Sequence, residues 1–272
     1  MNAFFRSTQG RLFGTFPLKA EQLASAVAVA ITTGYRAFDT AQMYGNEKDL
    51  GDALAICGIP RDELYIVTKV HPDNFSTEKF LKSVEKSLKD LRTEKIDLLM
   101  LHWPPIDGDI KPSLKLLTEA QSNGLTANIG VSNYTVKMMR EAKAFVDLPL
   151  ACNQVEFHPL LNQSKLIAAA IETGIPLCSY SAVARGEVFR HPIFAEIAEG
   201  YGKSPAQIVL RWILQKGVVV NTMSTNSDNI RANWNICDFT LSGVDMDRID
   251  KLGDLNFRVV TKDKVPWAPE WD

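Results

Sequence analysis

The sequence holds no CxxC pair, no HExxH and no clustered histidines. Its four cysteines, Cys57, Cys152, Cys178 and Cys237, stand far apart, and so do its four histidines. That excludes a disulfide framework and a structural zinc site, and reads as free thiols in a reducing compartment. No metal is expected. No apolar run approaches the ~18–20 residues that cross a bilayer. The start, Met1-Asn2-Ala3-Phe4-Phe5-Arg6, lacks the long apolar core and small-residue cleavage site of a secretory leader. The expectation is a cytoplasmic protein with no membrane partner. Neither charge sign is in excess: 30 Lys plus Arg against 32 Asp plus Glu leaves a net charge of −2. A nucleic-acid partner therefore has no electrostatic footprint here. Also missing is any glycine-rich GxGxxG turn.

What is present is a chain of 272 residues, 46% apolar, long enough to bury a full core without staples. Short apolar, β-branched runs recur at 12–16, 35–40, 64–70, 96–102, 127–132, 151–156, 175–180 and 218–223. Between them lie amphipathic stretches near 19–33, 46–57, 77–91, 112–123, 135–146, 163–173, 190–215 and 226–235. In the third of these, Phe80, Leu81, Val84, Leu88 and Leu91 share one helical face, and Thr77 stands as the expected cap. Alternating strand and helix predicts parallel strands joined by right-handed crossovers. Runs such as Leu98-Leu99-Met100-Leu101 suit strands covered on both faces. About eight such units predict an α/β fold, a single-domain (β/α)8 TIM barrel over 1–272. An open doubly wound sheet would want the glycine turn that is missing.

Barrel chemistry sits where strands end. Asp39 ends the second run, with Tyr44 in the turn after it, while Lys69 closes the third and His102 the fourth. Taken singly, Asp39 could cap a helix, Tyr44 serve as an interface aromatic, Lys69 end a strand in water and His102 fill a core. Together they make a different case. A buried lysine needs a counter-charge, which Asp39 can supply. A phenol beside that ammonium is expected to have its pKa lowered, which suits proton transfer.

The segments carrying these residues are recognisable. Gly34-Tyr35-Arg36-Ala37-Phe38-Asp39-Thr40-Ala41-Gln42-Met43-Tyr44-Gly45-Asn46-Glu47 resembles the signature of the aldo-keto reductases. So do Thr68-Lys69, Leu101-His102-Trp103-Pro104, Ile129-Gly130-Val131-Ser132-Asn133 and Asn153-Gln154-Val155-Glu156-Phe157-His158-Pro159. The likeness runs from about Leu12 to the C-terminus. With its closing Ala268-Pro269-Glu270-Trp271-Asp272, it is most similar to the branch of bacterial 2,5-diketo-D-gluconate and methylglyoxal reductases.

The resemblance implies an oxidoreductase that reduces a small polar aldehyde or ketone with NADPH or NADH, acting as a monomer. It implies Tyr44 as proton donor, Lys69 and Asp39 as its supports, and His102 as the group orienting the carbonyl. It implies Ser132, Asn133 and Gln154 at the nicotinamide carboxamide, Tyr180 stacked on the ring, and Ser181 and Val183 at the pyrophosphate. Gly14 and Thr15 would flank the cofactor, with Ser224 and Asn233 at its adenosine end. Phe16, Met43, His71 and Trp103 would line the substrate pocket, with Trp267 and Trp271 packing over the barrel mouth or its rim. His158-Pro159 is read as structural.

Two departures from the family pattern matter. Met223 and Asn229 stand where a lysine and an arginine usually hold the 2′-phosphate, and Asp228 adds a negative charge. NADH use is expected to compete with NADPH, although Arg231 on the same helix could swing toward a phosphate. His71 replaces a common tryptophan, which favours a polar substrate over a bulky apolar one. The alternatives are an NAD-dependent alcohol or sugar dehydrogenase running oxidatively, and a non-catalytic cofactor-sensing barrel.

Overall fold

The computed structural model describes residues 3–272. Eight strands make one parallel sheet: β1 Arg11–Gly14, β2 Ala37–Asp39, β3 Tyr65–Val70, β4 Ile96–Leu101, β5 Thr126–Ser132, β6 Leu150–Glu156, β7 Leu177–Tyr180 and β8 Val220–Thr222. Their order is β7-β6-β5-β4-β3-β2-β1-β8. The ring closes between β7 and β8, where Ser179 N–H donates to Val219 O at 2.8 Å and Val219 N–H to Leu177 O at 3.0 Å. The chain is a single (β/α)8 barrel, as the alternation of strand and helix predicts.

Eleven α-helices are described: α1 Ala3–Thr8, α2 Ala20–Thr33, α3 Glu47–Ala55, α4 Phe80–Asp90, α5 Lys111–Ser122, α6 Val136–Phe145, α7 Ser164–Thr173, α8 Ile193–Tyr201, α9 Pro205–Gln215, α10 Ser227–Trp234 and α11 Gly243–Asp250. Five of them differ from expectation. The predicted stretch 190–215 is two helices, because Gly202 takes a left-handed conformation and Ser204 caps a new helix with Pro205 in its first turn. Thr77 does not cap α4; the chain makes a turn there and the helix begins three residues later at Phe80. Helices α1 and α11 carry no long apolar period and are not anticipated by one. Helix α1 puts Phe4 among the barrel-lining residues, and α11 is capped by the Ser242 hydroxyl.

Alternation along each strand sorts the side chains. Leu12, Ala37, Val67, Leu98, Met100, Cys152, Cys178 and Val219 pack together with Phe4 as the inner core. Their neighbours Phe13, Phe38, Ile66, Leu99 and Val155 belong to the larger layer beneath the helices. By the same period Asp39 follows Ala37 and Lys69 follows Val67, so both point inward above the apolar plug. That step from apolar to ionisable marks the floor of the site.

Candidate active site

Lys69 is fully buried on β3. Its Nζ lies 2.7 Å from Asp39 Oδ1, donates to Thr40 O at 2.9 Å, and stands 3.5 Å from the Tyr44 hydroxyl. Asp39 Oδ2 accepts Gln154 Nε2–H at 2.9 Å, so both carboxylate oxygens are occupied. Burial drags the ammonium down, but the charge of Asp39 and the contact with Tyr44 outweigh it, and the Lys69 pKa is raised. Lys69 is therefore a cation fixed in direction.

Tyr44 ends a 3₁₀ turn, Gln42–Tyr44, that Gly45 closes in a left-handed conformation. Its ring meets His102 edge-on at 5.4 Å and lies 5.1 Å from Phe16. Burial raises the phenol pKa, and the Lys69 charge offsets only part of that rise. The lowering expected from the sequence is thus corrected: dehydration at the floor of the mouth exceeds the pull of one ammonium. The phenol keeps its proton at neutral pH. The His102 pKa falls well below its usual value, first through burial and then through repulsion from Lys69. Its imidazole is neutral, and Nδ1 is buried with no partner.

A second group of polar residues adjoins the first. Asn133 Nδ2 donates to His102 O at 3.0 Å and to Ser132 Oγ at 3.1 Å, and its Oδ1 accepts the Tyr180 hydroxyl at 2.7 Å. Ser132 Oγ donates to Gln154 O at 2.8 Å. Asn133 and Ser181 hold φ of 64° and 50°. Left-handed backbone at non-glycine residues collects at functional sites, and here both lie on the mouth. Thr15 hydroxyl and N–H both donate to Asp39 O at 3.0 Å, which ties the turn after β1 to the floor.

This surface suits a dinucleotide. At Gly14 a Cβ would stand 2.8 Å from Asn221 Oδ1, itself buried with no partner, so backbone and an open acceptor line a cradle that a side chain would fill. Val183 follows the Ser181 turn and packs against the outer core.

The residues expected at the adenosine end sit apart, just after β8 and on α10. Met223 is half-buried against the outer core, and Ser224 bonds locally with Asn226. Asn229 is exposed, and Asn233 reaches Thr222 Oγ1 at 3.4 Å. Arg231 pairs with Asp228 at 3.1 Å. Among the pocket candidates, Trp103 is buried and stacked on His102, Met43 is half-buried, and Phe16 is 53% exposed at the rim. His71 is half-buried rather than free in solvent: Trp267 meets it edge-on at 5.2 Å, and its Nδ1 accepts Asp73 N–H at 3.1 Å. His158 is fully buried and bonded to Glu156 at 2.9 Å.

Gln42 was not singled out by its sequence context. Its Oε1 accepts His71 N–H and Asn74 Nδ2–H, both at 2.9 Å, while Nε2 donates to Ser83 O at 3.1 Å. One side chain thus joins the Tyr44 turn, the His71 loop and α4. A turn glutamine gives no local signal of that. Asn46 is a second such residue, donating to Thr15 O and Leu18 O and accepting from Thr40.

Comparison with known proteins agrees with this geometry. Residues 10–254 match the model of the aldo/keto reductase family. Methylglyoxal reductase DkgB of Escherichia coli O157:H7 is 39% identical over 262 residues, covering 95% of this chain and 97% of the relative. Oxidoreductase YtbE of Bacillus subtilis, of uncharacterised activity, is 37% identical, covering 90% and 89%. Among solved structures, a protein assigned provisionally as 2,5-diketo-D-gluconic acid reductase B superposes with a TM-score of 0.93 at 38% identity, covering 97% and 93%. A Bombyx mori aldo-keto reductase in complex with NADP superposes at 0.86 with 28% identity, covering 95% and 94%. The chain belongs to the aldo/keto reductase family and is an oxidoreductase of carbonyl compounds.

Proposed function

We propose that this protein reduces a small, polar aldehyde or ketone, of the methylglyoxal or 2,5-diketo-D-gluconate kind, to the alcohol. The observation that carries the reading is the dry Lys69–Asp39 pair with the Tyr44 hydroxyl 3.5 Å from the ammonium. A reduced nicotinamide dinucleotide supplies the hydride when bound, with Ser132, Asn133, Gln154 and Tyr180 as the residues that would hold its ring. Gly14, Thr15, Ser181 and Val183 would take its middle.

The chain's own work is proton delivery and alignment. The carbonyl oxygen sits between Tyr44 and His102. The neutral imidazole donates an N–H to it, fixing the carbonyl's direction without adding a charge that would repel Lys69. As negative charge grows on that oxygen, the Tyr44 hydroxyl gives up its proton, and the phenolate left behind faces Lys69. Lys69 needs Asp39 to remain a buried cation. Phe16, Met43, Trp103 and His71 form a narrow entrance with one polar wall, which suits a hydroxylated or short substrate.

At the adenosine end, Met223 and Asn229 offer no cation, and Arg231 is engaged by Asp228. This supports use of NADH alongside NADPH, and with it an enzyme able to run toward alcohol oxidation. Action as a cytoplasmic monomer belongs to the same reading. Titrating the protein with each dinucleotide, and then following oxidation of NADPH and NADH with methylglyoxal, tests it. Turnover with either cofactor is the expected result. Tight binding of both without turnover of any small carbonyl would favour a sensing role instead.

A further inference from the structure

After α11 the chain crosses the barrel mouth as a strap. Phe257 N–H donates to Leu160 O at 2.8 Å. Val259 and Val260 N–H donate to the two carboxylate oxygens of Glu156, at 2.6 and 2.9 Å. His158 Nε2 lies 2.9 Å from the first of those oxygens. At the far end, Trp267 rests on His71, and Asp272 Oδ2 accepts Val136 N–H at 2.8 Å. Backbone donors anchor this end of the strap.

Arg258 lies within it. Its guanidinium stands 4.1 Å from the ring centre of Trp271. Nη1 is closed off from solvent with no acceptor, and so is Trp271 Nε1. A structural arginine here would fork onto Glu156, yet Glu156 gives its oxygens to the strap's own N–H groups and to His158. Asp272 spends Oδ2 on α6. Both carboxylates attract Arg258 only at longer range, as does the Tyr180 phenol. Two donors on stacked side chains, one of them charged, partly dehydrated and within electrostatic reach of Tyr180, thus have bonds unmade. Buried donors without acceptors are rare in folded proteins and expensive where they occur.

We propose that Arg258 and Trp271 form an oxyanion subsite of the loaded enzyme, taking a carboxylate or phosphate group carried by a bound reactant. A guanidinium fork matches either group, and its stem is already ordered on the indole. The oxyanion comes from one of two sources, a substrate carboxylate or the dinucleotide pyrophosphate. The subsite rests on the reductase reading for the identity of these reactants.

The test uses Arg258→Met, which keeps an apolar stem over the indole, and Trp271→Phe, which deletes only the second donor. Calorimetry measures binding of NADPH, NADH and a 2-keto sugar acid. Initial rates compare neutral methylglyoxal with 2,5-diketo-D-gluconate. Loss of a charged hydrogen bond corresponds to about a tenfold or greater weakening. Arg258→Met should weaken by that factor either both dinucleotides, naming the phosphate, or the sugar acid alone, naming the carboxylate. Its kcat on methylglyoxal at saturating cofactor should hold within about twofold, and Trp271→Phe should shift the same constant less. Unchanged constants in both variants would overturn the subsite, as would equal losses on the neutral and acidic substrates with cofactor binding intact. If Arg258→Met fails to fold, Trp271→Phe decides by the same constants. Should the unmodified protein reduce neither carbonyl, the reductase reading falls while calorimetry still reads the subsite.

Discussion

Lys69 and Asp39 meet 2.7 Å apart on neighbouring strands, with side chains only 0% and 2% exposed. Two opposite charges in so dry a place are held by each other, by Thr40 O and by Gln154. Removing one strands the other, a loss of about 3–5 kcal/mol for a broken buried pair. Lys69→Met should therefore destabilise the protein by that order in urea denaturation. The double variant Asp39→Asn with Lys69→Met should recover much of the stability and none of the turnover. Recovery of both would make the pair structural.

The pH dependence has a definite sign at His102. Its folded pKa is depressed well below 6.5, so just below that pH the unfolded chain takes up a proton that the folded chain refuses. Stability should fall as pH drops from 6.5 toward the folded value, by up to about 1.4 kcal/mol per pH unit from this residue. His102→Gln should flatten that slope. Glu47 runs the other way. Its buried carboxyl is raised by desolvation, partly offset by hydroxyl donors on Thr68 and Ser87. It contributes stability below pH 4.5 that is lost as pH rises through its folded value, and Glu47→Gln should remove that loss.

For reduction itself, the Tyr44 phenol must be protonated, and its pKa is raised. The alkaline fall in kcat/KM of the free enzyme is expected above the ordinary phenol value of about 10. A limb centred near pH 7 would contradict the net upward shift.

Gln42 links the Tyr44 turn to the His71 loop and α4 through five hydrogen bonds from one amide. Gln42→Ala should lower kcat by about tenfold through a misplaced proton donor, with cofactor affinity kept. Gln42→Glu, which keeps the acceptor for His71 N–H but loses the donors, should fall between. Stopped-flow turnover and a cofactor titration separate the two effects.

The barrel was legible because parallel strands covered on both faces read as nearly unbroken apolar runs. The polar group at its mouth was legible because several of those runs switch to a polar residue near their close, as at Asp39, Lys69 and His102. The direction of the Tyr44 shift was not. It depends on how much water the folded mouth excludes, and no neighbour in sequence encodes that. Gln42 and Arg258 were hidden for a related reason. The value of a turn glutamine lies in Ser83 and His71 arriving beside it. That of Arg258 lies in Glu156 having no oxygen left for it. Helix α1 spans six residues, too few for a period to register, and the break at Gly202 interrupts a stretch whose apolar spacing continues across it.

At the proposed adenosine end, Met223→Lys with Asn229→Arg should tighten NADPH by about tenfold or more, one charged hydrogen bond's worth at the least, and leave NADH nearly unchanged. Calorimetry with both dinucleotides checks it. Equal tightening of NADH would mean that the new cations engage the pyrophosphate instead.

The proton donor is the central claim, and single-turnover reduction by Tyr44→Phe tests it most directly. The ring and its packing against Phe16 and His102 persist, and only the hydroxyl is lost. The rate of methylglyoxal reduction should fall by about 10²–10⁴-fold, with cofactor affinity within about twofold of the unmodified protein. Near-normal turnover in that variant would contradict the account, since the proton would then come from elsewhere.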